Sequence, residues 1–158
     1  MEGTIRPAVK DDVPAIAALA DARRQQYQRY QPRFWRPAAD ARERHEPFLE
    51  QLVTGDRAIV LVHERDHTVD GFVIAQIVPT PPVYDAGGPT CSIDDFWIAA
   101  DAGWLVAGRA LLEAAMTEAR TQGAMQTVVV CAYLDEPKRA MLAEIGYTPA
   151  SIWYVRDN

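Results

Sequence analysis

The sequence predicts a single domain, residues 1–158, of the mixed α/β (α+β) class, with a mostly antiparallel sheet flanked by helices. The length of 158 residues suits one domain with a substantial core. Strand-like and helix-like segments follow one another in the order βααβββαβαβ. Three central strands have no helix between them, whereas a purely parallel sheet needs a helix between neighbouring strands. The sheet is therefore predicted to be mixed.

The N-terminal third predicts one strand and two helices. Residues 4–8 favour a short strand, and an acidic pair followed by Pro14 is typical of a helix start. Apolar residues at helical spacing continue this helix until Pro32 ends it. A second helix is predicted over 38–52, with three side chains on its inner face: Phe48, Leu49 and Leu52.

The central part predicts three strands. Residues 57–64 form a continuous apolar run, and 71–78 form its antiparallel partner across a turn at 67–70. The four prolines and two glycines of 79–89 indicate an ordered loop. A third strand is predicted at 91–98, where β-branched and aromatic residues are concentrated.

An amphipathic helix follows that strand. Small or apolar residues recur at helical spacing from Gly108 to Ala119, and Gly123 ends the helix. A helix that begins after a strand and a tight turn leaves backbone N–H groups unpaired, and these groups attract phosphate. Three elements complete the chain: a strand at 127–133, a helix at 137–145 and a strand at 152–156.

Composition and charge argue against several classes of protein. The formal net charge is −6, so no nucleic-acid partner is expected. No apolar run has the length of a membrane span, and the acidic N-terminal segment does not resemble a secretion signal. We expect Cys91 and Cys131 to be buried, reduced thiols, and His45, His63 and His67 to be solvated, without a metal site. A cytoplasmic protein is therefore predicted.

The loop after the third central strand resembles part of a known family. Ile98, Gly103, Val106 and Gly108 fall on the key positions of the motif V-x-x-x-x-Q/R-x-x-G-x-G/A. This motif is the acyl-CoA pyrophosphate loop of the GNAT N-acetyltransferase superfamily. Ile98 and Gly108 fit, whereas Gly103 replaces Gln or Arg and Val106 replaces Gly. The order of elements over nearly the whole chain is also similar to the GNAT order.

The resemblance implies that acetyl-CoA is the acyl donor and that its pyrophosphate lies over this loop. The cofactor-binding residues that it implies are Trp97, Ile98, Gly103, Trp104, Leu105, Val106, Ala107, Gly108 and Arg109. Val106 adds bulk and resists the positive φ that glycine adopts, and Gly103 supplies no side chain near the phosphates. We therefore expect a weakened cofactor site.

Two adjacent carboxylates, Asp94 and Asp95, interrupt the apolar strand at 91–98. Burying both would be costly, so at least one is expected to face a wet cavity. GNAT enzymes often place a base at this point of the strand, and Asp95 matches that position. The alternative is that one acid caps a loop or pairs with an arginine from 23–36. The sequence leaves both interpretations open.

A second GNAT motif, N-x-x-A-x-x-x-Y-x-x-x-G-F/Y, is present only at its Gly-aromatic end. The chain departs from it at three positions: Asp135 for Asn, Lys138 for Ala and Leu142 for Tyr. Leucine cannot donate a proton, so the family's usual acid is missing. Tyr133 or Tyr84 could replace it, although packing also accounts for both tyrosines. Lys138 is expected to be solvated on the surface, within reach of a distal phosphate.

The stretch 23–36 mixes aromatic residues with arginines. Packing of an amphipathic helix on the sheet accounts for this composition. The resemblance implies a second interpretation, in which the stretch lines the acceptor pocket. The acceptor-binding residues would then be Tyr27, Tyr30, Phe34 and Trp35.

The leading hypothesis is acetyl transfer from acetyl-CoA to a primary amine of a small molecule or peptide by direct attack. This reaction needs a base for the amine, stabilisation of the oxyanion and a proton for the leaving thiolate. The alternative is a GNAT-fold binding or regulatory module without catalysis, which Gly103, Val106 and Leu142 favour. No membrane partner is expected, and a homodimer would form if the last strand pairs with a second copy.

Overall fold

The computed structural model describes residues 3–100 and 102–158 and contains one five-stranded sheet. The strands are β1 (Thr4–Pro7), β2 (Ile59–Arg65), β3 (Thr68–Val78), β4 (Thr90–Ile98) and β5 (Gln126–Val129). They lie in chain order across the sheet, with β1 to β4 antiparallel and β5 parallel to β4. The predicted class, a mixed and mostly antiparallel sheet flanked by helices, is confirmed.

In the part of the chain that the structure describes, four α-helices cover the two faces of the sheet. They are α1 (Val13–Tyr30), α2 (Ala41–Thr54), α3 (Arg109–Thr121) and α4 (Glu136–Glu144). In β3, Phe72 and Ile74 pack with α1 and α2, whereas Val73 and Ala75 pack with α3 and α4. This alternation follows from the two-residue period of a strand. Within the described residues, no helix combines the length and hydrophobicity needed to span a bilayer.

The β2–β3 hairpin and α2 differ in detail from the prediction. The hairpin turns at Asp66 and His67, with φ of 51° and 60°, the pair of positive values that a two-residue hairpin requires. β3 therefore begins at Thr68, inside the predicted turn at 67–70. In α2, Leu49 is buried as predicted, but Phe48 is 48% exposed because it faces away from the sheet.

Two predicted strands are shortened or missing. β5 ends at Val129 instead of residue 133, because the chain turns away from β4 after that point. The strand predicted at 152–156 does not form, and residues 148–158 carry no regular secondary structure. Trp153 contacts the ring of Phe34 at 5.8 Å between centroids, so the tail lies beside the end of α1 instead of pairing with β5. The homodimer, which depended on that strand, stays a prediction.

Candidate active site

β4 and β5 separate partway along the sheet. Their pairing runs from Thr90 opposite Gln126 to Ile93 opposite Val129. One further hydrogen bond, 2.8 Å long, joins the N–H of Val130 to the C=O of Ile93. β4 then continues beside β3, while residues 130–133 turn away. We call the space between residues 94–98 and 130–133 the β4–β5 gap.

A β-bulge lies in β4 where the gap opens. Two residues of β4, Asp94 and Asp95, face the single residue Ile74 of β3. The bulge breaks the alternation of side chains. As a result, the Asp94 side chain is 74% exposed and the Asp95 side chain is 24% exposed. One acid is thus solvated and the other reaches protein partners, which avoids the cost of burying two unpaired charges.

Asp95 is held by side chains from both α1 and α2. Nη1 of Arg23 lies 3.3 Å from its Oδ1, and Nε2 of His45 lies 3.4 Å from its Oδ2. Arg24 lies 2.9 Å from Nδ1 of His45, so Nδ1 accepts and the Nε2 proton points at Asp95. Burial raises the pKa of Asp95, but the His45 hydrogen bond and the Arg23 and Arg24 charges outweigh it, and the pKa lies below its usual value.

Arg23 is itself a buried cation, 7% exposed. Its Nη2 donates to the backbone C=O of Asp94 at 3.0 Å. Its guanidinium lies 4.5 Å from the ring centre of Tyr27 and 5.9 Å from that of Trp35. The arginine partner for the acids, one of the two interpretations of the sequence, is therefore present.

Lys138 closes the other side of the gap. Its ammonium donates to the C=O of Phe96 at 3.3 Å and to the C=O of Val130 at 3.0 Å. The same nitrogen lies 4.9 Å from the Phe96 ring centre and 5.4 Å from that of Trp104. Burial, the main cause, lowers the pKa of Lys138 to about 8. The lysine therefore joins the two strands where they diverge.

The expectation of a solvated Lys138 is wrong, since the residue is fully buried. The reason lies in α4: Lys138 stands in the first turn, on the side of the helix that faces the sheet. One signal in the sequence could have revealed this. The position is alanine in the GNAT motif, and a position restricted to a small residue faces the interior.

The expectation of solvated histidines is also wrong for two of the three. His45 lies against Asp95, and His63 of β2 is 5% exposed and hydrogen-bonded to Asp70 of β3. Both histidines have an acidic partner on another element, which compensates for the loss of water. His67, in the exposed hairpin turn, is solvated as predicted.

Tyr27 links α1 to the segment that follows β5. Its hydroxyl donates to Oδ2 of Asp135 at 3.3 Å and accepts from the N–H of Ala132 at 3.3 Å. Asp135 also caps α4 by accepting from the N–H of Lys138. Burial raises the pKa of both Asp135 and Tyr27. These hydrogen bonds attach the segment after β5 to α1 and so keep it apart from β4.

The four predicted acceptor residues form one aromatic cluster with Trp97. Tyr27 is buried at its centre, with ring centroids 5.0 Å from Trp35 and 6.0 Å from both Tyr30 and Trp97. Phe34, 43% exposed, lies 4.7 Å from Trp35. Phe34 is therefore the exposed ring of the cluster, and half-buried Trp35 lies between Phe34 and Tyr27, 5.9 Å from the Arg23 guanidinium.

The predicted cofactor loop is a π-helical segment, Gly103–Gly108, that continues directly into α3. The positive φ of this segment, 77°, is at Gly103 and not at Val106. Leu105 is 54% exposed and Val106 70% exposed. A Cβ at Gly108 would lie 2.6 Å from the Trp104 ring, so this glycine makes room for the tryptophan.

The remaining predicted residues lie around the loop and the gap. Ile98 and Ala107 belong to the core. Arg109 is paired with Glu113 at 2.8 Å and lies 3.7 Å from Glu144. Tyr133 is 62% exposed and stacks under the guanidinium of Arg139. In residues 3–100 and 102–158, no three metal-binding side chains converge.

Comparison with protein-family models gives one match that covers most of the chain. The model of the acetyltransferase (GNAT) family matches residues 17–147, and no curated protein matches the chain in sequence. A mutant of the BH1408 protein from Bacillus halodurans is 16% identical, with 98% of this chain and 99% of that chain covered and a TM-score of 0.85.

Two further solved structures share the fold. A predicted acetyltransferase from Clostridium acetobutylicum, solved with acetyl-CoA, is 12% identical, with 98% and 96% covered and a TM-score of 0.76. A ribosomal-protein-alanine N-acetyltransferase from Brucella melitensis biovar Abortus 2308 is 19% identical, with both chains fully covered and a TM-score of 0.69.

Proposed function

Because the chain belongs to the acetyltransferase (GNAT) family, we propose that it transfers an acetyl group from acetyl-CoA to a primary amine of a small molecule or peptide. The observation that carries this proposal is the β4–β5 gap. Diverging strands leave backbone groups that an extended, amide-bearing ligand can pair with, as an added strand does. The pantetheine arm of CoA is such a ligand, and the gap leads to Asp95.

The donor's pyrophosphate would lie over the N–H groups at the start of Gly103–Gly108. These groups begin a helix and therefore lack intrahelical partners. Arg109 stands beside them, but Glu113 and Glu144 neutralise much of its charge. Phosphate binding would therefore rely on backbone N–H groups more than on side chains, so the missing Gln or Arg at position 103 is a modest loss.

Asp95 is proposed as the base that takes a proton from the acceptor amine. It is ionised at neutral pH, because its pKa lies below its usual value. A carboxylate with a low pKa is a weak base for a free amine. It acts best on the ammonium-like nitrogen that forms as the amine attacks the thioester, directly or through one water. Asp94, which is more exposed, would help to attract the cationic amine.

The acceptor is proposed to lie against Trp35 and Phe34. The Arg23 guanidinium lies 5.9 Å from the Trp35 ring and also reaches the exposed Asp94. Ring faces and a carboxylate both attract a cation, so this wall suits a protonated amine. A small-molecule amine and the N-terminus of a peptide both fit this description. Cys91 and Cys131 are free thiols, consistent with a reducing compartment such as the cytoplasm.

Two measurements on the same preparation test the proposal. Calorimetric titration with acetyl-CoA should show binding, and mass spectrometry should detect CoA and an acetylated amine from a panel of polyamines, aminosugars and N-terminal alanine peptides. Binding without acetylation of any amine would favour the binding-module alternative. Absence of acetyl-CoA binding would overturn the proposal.

A further inference from the structure

The proposed reaction lacks an acid, and a buried amine lies close to where one is needed. The tyrosine of the second motif is replaced by Leu142, which is packed in the core. Lys138 precedes it by four residues and so lies on the same side of α4. Its side chain ends in the β4–β5 gap, whereas that of Leu142 packs under it in the apolar core.

The ammonium of Lys138 has one N–H to spare. A lysine carries three N–H donors, and two of them are bonded to Phe96 and Val130. Among the described residues 3–100 and 102–158, no third acceptor is within hydrogen-bond distance. A fully buried charge with an unfilled donor is costly. The ammonium nitrogen itself lies between the diverging strands, beside the Phe96 and Trp104 rings, where the proposed function seats the thioester.

We propose that Lys138 is a catalytic residue that protonates the CoA sulfur as it leaves. This inference depends on the proposed acetyl transfer. The amine first loses the proton of its ammonium form to water. Its nitrogen then bonds to the thioester carbon, and the C–S bond breaks with its electron pair on sulfur. One proton passes from Nζ of Lys138 to that sulfur, giving the thiol of CoA. The amine's proton goes to Asp95 and then to water, and Lys138 regains a proton from water.

The Lys138 ammonium and the thiol that it would form have similar pKa values. The pKa of Lys138 is about 8, close to the value of about 8.5 for an ordinary thiol. Proton transfer between groups of similar pKa has little thermodynamic cost in either direction. At pH 7 the lysine is mostly protonated, so it is ready to donate in the ground state.

A purely structural role is the main alternative. The same two hydrogen bonds would let Lys138 hold β4 and the segment after β5 together without taking part in the reaction. The two roles differ in one observable. A structural lysine affects folding and binding, whereas an acid also controls how the maximal rate depends on pH.

The test compares wild type, Lys138→Met and Lys138→Arg, with Arg120→Met as the control. Arg120 is an exposed cation at the end of α3, remote from the gap. Methionine has similar length without charge, and arginine keeps the charge but does not titrate. We expect the wild-type kcat to fall above pH about 8. In Lys138→Met, kcat at pH 7 should be roughly 100-fold lower than in wild type, and the fall of kcat above pH about 8 should be absent.

Acetyl-CoA affinity separates the outcomes. The inference requires that the Kd of Lys138→Met for acetyl-CoA stays within about threefold of the wild-type value. It also requires that kcat of Lys138→Arg does not fall near pH 8. A variant that folds and keeps the wild-type pH profile overturns it. If Lys138→Met does not fold, Lys138→Arg decides alone. If the wild type shows no turnover, the proposed function and this inference are both overturned. If the wild type turns over but the Lys138 variants keep its fall of kcat near pH 8, only the inference is overturned.

Discussion

The β4–β5 gap and the loop Gly103–Gly108 would hold opposite ends of acetyl-CoA, and they are built from different groups. In the gap, buried or half-buried charged side chains from four elements are held by other protein groups: Asp95 by Arg23 and His45, Asp135 by Tyr27 and the N–H of Lys138, and the Lys138 ammonium by two backbone carbonyls. In the loop, Leu105 and Val106 face solvent. The backbone N–H groups at the helix start are what the loop offers to a phosphate.

This difference indicates which departures from the family pattern matter. A substitution in the loop changes surface bulk near groups that the backbone still supplies. A substitution in the gap leaves a buried charge without its partner, which costs several kcal/mol. The replacement of two loop residues is therefore compatible with a working donor site. The arrangement around Asp95 and Lys138 should tolerate little change.

The largest effect is expected from Arg23→Ala. Arg23 pairs with Asp95, donates to the C=O of Asp94 and lies over Tyr27. Its loss leaves Asp95 and the partly buried C=O of Asp94 short of partners, so the free energy of unfolding should fall by about 3 kcal/mol. Urea unfolding measures this value. Arg29→Ala, on the exposed side of the same helix, should cost less than about 0.5 kcal/mol. Equal losses of unfolding free energy in both variants would show that the contacts of Arg23 stabilise the fold no more than an exposed arginine does.

Asp95→Asn tests the gap as a chemical site. The amide keeps the shape but cannot take a proton, so kcat should fall by about 100-fold with little change in the Kd for acetyl-CoA. Asp94→Asn should have a milder effect, because Asp94 is mostly exposed. Steady-state kinetics and calorimetry measure the two quantities. Full turnover of Asp95→Asn with an unchanged pH profile would show that Asp95 is not the base.

The same variant should change the pH dependence of stability. The pKa of Asp95 in the folded protein lies below its unfolded value. The Asp95 carboxylate therefore binds a proton less tightly in the folded state than in the unfolded state. Asp95 therefore contributes stability above pH about 4, and this contribution is lost as the pH falls through its folded pKa. Urea unfolding at several pH values should show a shallower acid decline for Asp95→Asn than for Asp94→Asn. Parallel declines would contradict the folded-state pairing.

These long-range pairs also show how far the sequence could predict the structure. β4 and α3 are near each other in the chain, and their local patterns predict both. The predicted turn between them includes residue 101, which lies outside the described residues. Arg23 and Asp95 are far apart in sequence: pairing of an acid with an arginine from 23–36 is one of two interpretations that the sequence leaves open, and no local pattern selects these two residues. Lys138 looks like a surface lysine until the register of α4 is known. The tail at 152–156 has the composition of a strand, but a strand also needs a partner, and the sequence does not show that β5 turns away.

A smaller effect is expected for the acceptor wall. Trp35 packs on Tyr27 with part of its surface exposed, so Trp35→Ala should raise the acceptor's KM by about tenfold and leave acetyl-CoA binding unchanged. Tyr154→Ala, which removes a 92% exposed aromatic side chain of the tail, is the control, because Trp153 itself contacts Phe34 of the wall. A loss of stability with unchanged kinetics would show that Trp35 only packs.

The smallest effect is expected in the loop, from Val106→Gly. Val106 does not need a positive φ, because that conformation is at Gly103. What valine still adds is a branched side chain on the surface of the loop, with 70% of the residue exposed, and we expect this bulk to hinder the approach of a phosphate. Its removal should shorten N–H to phosphate hydrogen bonds, but glycine also adds flexibility that costs about 0.5–1 kcal/mol. The net result should be acetyl-CoA binding tighter by between about twofold and tenfold.

Val106→Ala separates the effect of side-chain bulk from the effect of backbone flexibility, because alanine removes the branched side chain without adding the flexibility of glycine. If bulk limits binding, calorimetry should show that alanine also tightens it, at least as much as glycine does. Tight binding by wild type that neither variant improves would mean that the loop already accommodates valine, and the steric argument would be wrong. Absence of binding in all three proteins would instead reject acetyl-CoA as the ligand. Because the loop would bind through its backbone, we expect every change at position 106 to remain small beside the losses caused in the gap.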